Sequence, residues 1–292
     1  MPPRNTLTTA WDFDAIGTGW RIETDTEVSE ATRSRVAARI DEFDRSYSRF
    51  RDDSLASRLR DASGRFDFPS DAEPLFAVYD ALFALTAGAV TPFVGDALER
   101  LGYDAAYTLM PHGAPEPAPS WAAARTGAAT TISTAAPVVL DVGAAGKGYL
   151  VDLVLDVLAD AGMHRAVVDA SGDMRAVGVP DYRVAMEHPY DARRAIGVIE
   201  PGERALCASA SNRRAWGEGL HHVLDGRTGL PVRTVVATWA IADSGLLADA
   251  LATALFLVEP DTLAERFDFD YLRMFSDGTA QYSATFPGEV FR

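Results

Sequence analysis

Apolar positions recur at helical spacing in the first third of the chain and give way to strand-like runs after residue 130. Val36, Ile40, Phe43 and Tyr47 fall at i, i+4, i+7 and i+11, the buried stripe of a helix within residues 27–47. The polar, arginine-rich turn Ser48 to Ser54 ends it, and a short helix follows to Arg60. Leu75, Tyr79 and Leu82, flanked by Phe76 and Phe83, predict a second helix stopped at Gly88. Thr91-Pro92 then forces an extended or turn conformation. Residues 11–24 alternate as a strand with Gly17-Thr18-Gly19 at its middle. Further strands are predicted at 137–142, 165–170, 183–187, 195–199 and 234–242, interrupted by helices at 147–161 and 244–258. Residues 271–286 read as a hairpin turning at Ser276-Asp277-Gly278. The proline-rich stretch 110–120 reads as a mobile surface loop, and no internal repeat is visible. Helices interleaved irregularly with antiparallel strands predict an α+β fold of mixed antiparallel sheets packed with helices. Residues 1–292 form one unit in this reading, with two closely packed subdomains as the alternative.

Composition narrows the class. With 292 residues, 48% of them hydrophobic, the chain can bury a sizeable core. A net charge of −15 argues against nucleic acid or an anionic membrane as partner, and it leaves any anionic ligand dependent on local positive charge. One cysteine, Cys207, excludes an internal disulfide and a cysteine-based zinc site. Five histidines without H-x-x-x-H spacing give no histidine metal site. The first twenty residues lack an apolar run and a lipobox cysteine, and no run of about 18 apolar residues occurs anywhere. The expectation is a cytoplasmic protein with no membrane span.

Five segments carry candidate chemistry. Between the predicted strand ending at Leu140 and a helix running through Leu153, Leu155, Val157 and Leu158 lies a glycine turn around Lys147. Glycines at a strand-to-helix turn let backbone N–H groups and the helix N-terminus approach an anion. The spacing is not that of an ATP-binding P-loop: Asp141 stands five residues before Gly146, and Gly148 follows the lysine. Gly143, Gly146 and Gly148 do not fit a dinucleotide turn either. The turn is a phosphate cradle of another kind or a device for tight packing. Asp249 and Thr253 lie four apart on one helical face, hard oxygen donors suited to Mg²⁺; the alternative is a solvated charge and a threonine bonded to its own helix. The run His221-His222-Val-Leu-Asp-Gly-Arg-Thr-Gly229 places a histidine at a strand end, either a general base oriented by Asp225 or an incidental residue at a hairpin turn. Upstream, Cys207 to Arg214 offers hydroxyls and two arginines within reach of a bound anion, or simply a polar loop. Asp169-Ala-Ser-Gly-Asp173 is a small-residue turn that a ligand could approach closely.

The joint order of these elements resembles the FAD:protein FMN transferase (ApbE) family. The "DlGgiaKGyavD" element of that family is similar to Asp141–Asp152, "NaGGDira.G" to Asp169–Gly178, "HiiDPrTG" to His222–Gly229 and "aDalaTal" to Ala248–Leu255. An early Gly-Thr strand resembles Ile16-Gly-Thr18, and "tS.y..dSe.srl" resembles Tyr47–Leu59. These six elements span about 240 residues in one order.

The resemblance implies an ApbE-like, T-fold-related architecture and an Mg²⁺-dependent transferase. Such an enzyme moves the FMN half of FAD through its phosphate onto a Ser or Thr hydroxyl of an acceptor flavoprotein, releasing AMP. Alternatives within the same resemblance are an FAD pyrophosphatase giving FMN and AMP, and a non-catalytic flavin-binding protein. Carried over residue by residue, Asp249, Thr253 and the backbone carbonyl of Ala144 hold Mg²⁺, and His222 takes the proton of the attacking hydroxyl. Asp141 and Lys147 lie along the FAD, Ile16 and Phe50 line its ring pockets, and Ala89, Val90, Thr91 and Ser209 complete the cofactor-binding set. Several positions depart from the family pattern. Thr91 stands where an aspartate is expected, "tSG.Y" becomes Ala208-Ser-Ala-Ser-Asn212, "DPrTG" becomes Asp225-Gly226-Arg-Thr-Gly229, and Phe50 replaces a common tyrosine.

Overall fold

The computed structural model describes residues 7–291; the first six residues, part of the segment read for a leader, lie outside it. Eight helices occur in it: α1 Glu30–Tyr47, α2 Leu55–Asp61, α3 Ala72–Leu85, α4 Gly95–Arg100, α5 Trp121–Ala124, α6 Gly146–Asp160, α7 Gly245–Ala254 and α8 Pro260–Ala264. Their starts follow from local chemistry. Ser29, Ser54 and Ser244 each turn a hydroxyl back onto an N–H of the first turn of α1, α2 and α7.

The centre is an eight-stranded sheet in the order Thr9–Ala15, Thr18–Thr24, Ala166–Asp169, Asp173–Val177, Ala205–Ala210, Val235–Ala242, Asp270–Phe275, Ala280–Tyr282. Every pairing in it is antiparallel. Val235–Ala242 is buried along its whole length, as a central strand covered on both faces must be. One face carries the large core formed with α1, α3, α6 and α7, where Phe43, Leu75, Leu150, Val154 and Leu251 meet Ile22 and Val168. The other face packs Trp239, Ile241 and Met274 against a smaller sheet of Gly288–Val290, Asp191–Ile199 and Val184–His188. The observed architecture is the α+β arrangement of antiparallel strands and helices predicted from the pattern. Among the described residues no helix is long and apolar enough to cross a membrane.

Four local expectations are corrected. Residues 11–24 form a hairpin: Ala15 pairs with Thr18 across a turn at Ile16-Gly17, both at positive φ (46° and 75°). The alternation continues across the turn, so hydropathy alone does not reveal it. Pro137–Leu140 is extended but joins no sheet; Val138 N–H donates to the Leu59 carbonyl and Asp141 N–H to that of Pro92. Its apolar side chains fill the core as a strand's would, which is why the pattern misleads. The loop 110–120 is anchored, with Ala118 N–H donating to the Gly226 carbonyl at 2.8 Å and His112 N–H to that of Arg100. Finally, α7 ends at Ala254 and not at 258.

Candidate active site

Helices α6 and α7 meet at their N-terminal ends with almost no side chain between them. A Cβ built on Gly148 would stand 2.1 Å from the Gly245 carbonyl oxygen, and one on Gly245 would stand 2.2 Å from that of Gly148. Each helix then supplies a carboxylate to the other's free N–H groups. Asp152 of α6 accepts from the N–H of Gly245 and Leu246, both at 3.0 Å, and Asp249 of α7 accepts from that of Gly148 at 2.9 Å. Two helix N-termini, each with partial positive charge, thus converge on one spot. The glycine turn serves tight packing and an anion-favouring geometry at once.

The alternative reading of Asp249 as a solvated charge does not hold. Its carboxyl is buried, and burial followed by the neighbouring Asp173 carboxylate pushes its pKa up to about 8. Thr253 is partly exposed and its hydroxyl bonds no other described residue, so it is not tied to its own helix. Because Gly148 donates to Asp249, the Ala144 carbonyl four residues back has no helical partner among the described residues. On α3, the buried Tyr79 hydroxyl lies against the Ala144 N–H and near Asp141 and Asp249. Among the described residues no three His, Cys, Asp or Glu side chains are grouped to hold a metal. One carboxylate, one hydroxyl and a turn carbonyl therefore fit only a hard cation that keeps water or substrate oxygens as its other ligands.

Lys147 is the only lysine in the chain; the other 26 of its 27 lysine and arginine side chains are arginine. Its ammonium donates to the Ala170 carbonyl at 3.0 Å and pairs with Asp173 at 2.9 Å. Burial alone would lower its pKa, but Asp173 and Asp249 hold it above the ordinary value, so it stays charged. Two acceptors at such close quarters suit a compact ammonium better than a planar guanidinium. In the sequence Asp173 stands out only as the end of a small-residue turn, because its partner Lys147 is reached through the fold.

On the far side of the turn, Asp141 accepts from Arg49 Nε at 2.6 Å and from the Gly143 N–H at 2.7 Å. Burial would raise its pKa, but Arg49 and these bonds bring it below the usual carboxylate range. Arg49, buried and missed as a site residue, also donates to Glu99 and to the Tyr103 carbonyl. Its guanidinium covers Phe50, with the carbon 4.2 Å from the ring centroid. Phe50 also stacks on Tyr107 (5.3 Å, 14°), whose hydroxyl reaches to 4.0 Å from the Cβ position of Gly17. Phe50 and the Ile16-Gly17 turn, through Gly17, therefore border Tyr107, a ring the sequence does not single out. Ala89, Val90 and Thr91 are buried, and the Thr91 hydroxyl accepts from the Phe93 N–H. The Ala89 carbonyl accepts from the Gly226 N–H at 2.9 Å, which ties this segment to the turn after His222.

His222 follows the short strand Leu220–His221 and lies against the Arg214 backbone. Its Nδ1 is buried without a partner among the described residues. Burial first, then Arg214 and His221, push its pKa down to about 3, so the ring is neutral. Ser209 shares a strand face with Cys207, whose thiol donates to the Gly245 carbonyl, so it looks toward α7.

The chain is similar to known proteins over most of its length. The model of the ApbE family matches residues 16–271. The chain belongs to the ApbE family. Among its ApbE relatives, the FAD:protein FMN transferase of Vibrio cholerae serotype O1 is 28% identical over 254 residues, covering 79% of this chain and 74% of the relative. That of Escherichia coli K12 is 26% identical over 318 residues, covering 98% and 87%. The solved flavin transferase ApbE from Vibrio cholerae superimposes with a TM-score of 0.78 at 25% identity, over 95% of this chain and 97% of that one. The ApbE protein of Thermotoga maritima shares the fold at a TM-score of 0.79 and 22% identity, over 96% and 99%.

Proposed function

We propose that this ApbE chain transfers the FMN half of FAD to a Ser or Thr hydroxyl of an acceptor protein, with Mg²⁺ bound, and releases AMP. The observation that carries this reading is the meeting of Asp249 with the first turn of α6 beside Lys147. It supplies helix N-termini and a cation next to a carboxyl that burial and Asp173 make unfavourable to ionise without a counter-ion. The activity of relatives that align over most of the chain points the same way.

In this reading Asp249, Thr253 and the Ala144 carbonyl hold Mg²⁺, which when bound neutralises charge on the diphosphate. The N–H groups and Lys147 at the start of α6 orient the phosphates, and Asp141, fixed by Arg49, sits along the dinucleotide. Ile16 and Phe50 border the pocket for a ring, and Ser209 and residues 89–91 close its sides. The acceptor oxygen forms a bond to the FMN phosphorus, the bond from that phosphorus to the bridging oxygen breaks, and AMP leaves with the bridging oxygen and its electron pair. The hydroxyl proton passes to His222, which is neutral beforehand. Incubation with FAD, Mg²⁺ and a candidate acceptor, followed by mass spectrometry, tests the reading. An acceptor heavier by one FMN supports it; free FMN and AMP with unmodified acceptor point to a pyrophosphatase, and intact bound FAD to a flavin carrier.

A further inference from the structure

The cations of the site are unequally committed. Lys147 is paired with Asp173. Arg49 is paired with Asp141 and Glu99, Arg60 with Glu99, and Arg213 with Glu187 at 3.1 Å. Arg214 differs: among the described residues no carboxylate lies within ion-pair distance of it. What holds it is neutral. Its Nη1 donates to the Tyr103 hydroxyl at 2.7 Å, and its guanidinium carbon lies 5.8 Å from the centre of the same ring.

Tyr103 is a firm anchor. It stacks on Trp216 (5.5 Å, 20°), whose indole N–H donates to the Leu101 carbonyl at 2.8 Å, and it meets Phe50 edge-on at 5.8 Å. Burial pushes the Tyr103 hydroxyl up to about 12, so it stays un-ionised and does not discharge the arginine. Arg214 stands next to His222 and within electrostatic reach of Asp141, so the segment that supplies the base also supplies a cation. Its side chain is exposed, and four of its five N–H donors are unspent on Tyr103.

We propose that Arg214 is a catalytic residue of this site, contacting the diphosphate of the bound dinucleotide and stabilising the charge that builds on it as the phosphorus–oxygen bond breaks. The proposal rests on the transferase reading above. A guanidinium is suited to this because its planar donors engage two phosphate oxygens together. Among the described residues no carboxylate shares the charge of Arg214, whereas Lys147 shares its own with Asp173. Tyr103 sets the direction of the side chain, so the donors are oriented before substrate arrives.

Calorimetric titration of the full chain with ADP and with riboflavin, each in the presence of Mg²⁺, tests the assignment in wild type, Arg214→Gln and Arg214→Lys. We expect Arg214→Gln to weaken ADP about 10-fold or more, Arg214→Lys to recover part of that loss, and riboflavin to bind all three alike. Tyr103→Phe, which keeps the ring and loses the anchoring hydroxyl, should fall between wild type and Arg214→Gln for ADP. Unchanged ADP affinity in Arg214→Gln overturns the proposal, as does an equal loss of ADP and riboflavin, which would mark Arg214 as a support for Tyr103. Failure of the wild type to modify any acceptor bears on the transferase reading and leaves these binding ratios interpretable.

Discussion

The methyl group of Thr91 occupies the space in which a side chain at position 226 would begin: a Cβ built on Gly226 stands 2.4 Å from Thr91 Cγ2. The Gly88 and Ala89 carbonyl oxygens lie 2.7 and 3.1 Å from the same point, and the Gly226 N–H is itself donated to Ala89. Two departures from the family pattern, a threonine for an aspartate and a glycine for a proline, therefore meet in space. Neither proline nor any side chain fits at 226 while the 88–91 segment keeps its path.

This contact predicts non-additive mutations. Gly226→Ala should cost about 1–3 kcal/mol through overpacking. Thr91→Ala removes the nearest obstacle but leaves the two carbonyls, so in that background the cost should fall by about 0.5–1 kcal/mol. Urea unfolding of the two single variants and the double variant measures the coupling, and strict additivity would contradict the contact.

Ile16 carries a different strain. A β-branched residue at φ 46° is costly, and here it heads the turn that borders the proposed ring pocket. Ile16→Gly should stabilise the protein by about 1 kcal/mol while weakening flavin binding. Thermal unfolding and a flavin titration together separate the two effects; loss of stability would show that the side chain's packing outweighs the backbone strain.

The pH dependence of stability follows from His222. Its folded pKa of about 3 lies below the ordinary 6.5, so between these values the unfolded chain takes up a proton that the folded chain refuses. Stability contributed by a neutral His222 is thus full above pH 6.5 and is lost as the pH falls toward 3. Urea titrations at pH 7 and pH 5 should show a larger loss for wild type than for His222→Gln. Equal losses would mean that the ring protonates freely in the folded protein.

Much of the fold was legible because its periodicities are long. The stripes of α1 and α3, the strand Val235–Ala242 and the hairpin turning at Asp277-Gly278 stand where the pattern put them. The misreadings share a cause: hydropathy reports burial and not hydrogen-bonding partners. Pro137–Leu140 is buried yet pairs with no strand, and Asp173–Val177 lies mid-sheet while carrying a charge that reads as a turn residue. At the site, Lys147 stands out from its glycine turn and Asp249 from its spacing to Thr253, whereas Ala144 is implied only by the family resemblance. Asp173, Tyr103 and Tyr107 do not stand out, since what matters about them is a partner far away in the chain. Tyr103 meets Arg214 only through the fold.

Asp249→Asn separates folding from function. An amide oxygen still accepts the Gly148 N–H, while the repulsion with Asp173 disappears, so stability should be unchanged or higher. The most direct test of the account is Mn²⁺ binding, followed by electron paramagnetic resonance with ADP present, to wild type and to this folded variant. The account predicts one bound ion in wild type and an affinity lower by about 10-fold or more in Asp249→Asn. Equal affinity in the two proteins would contradict it.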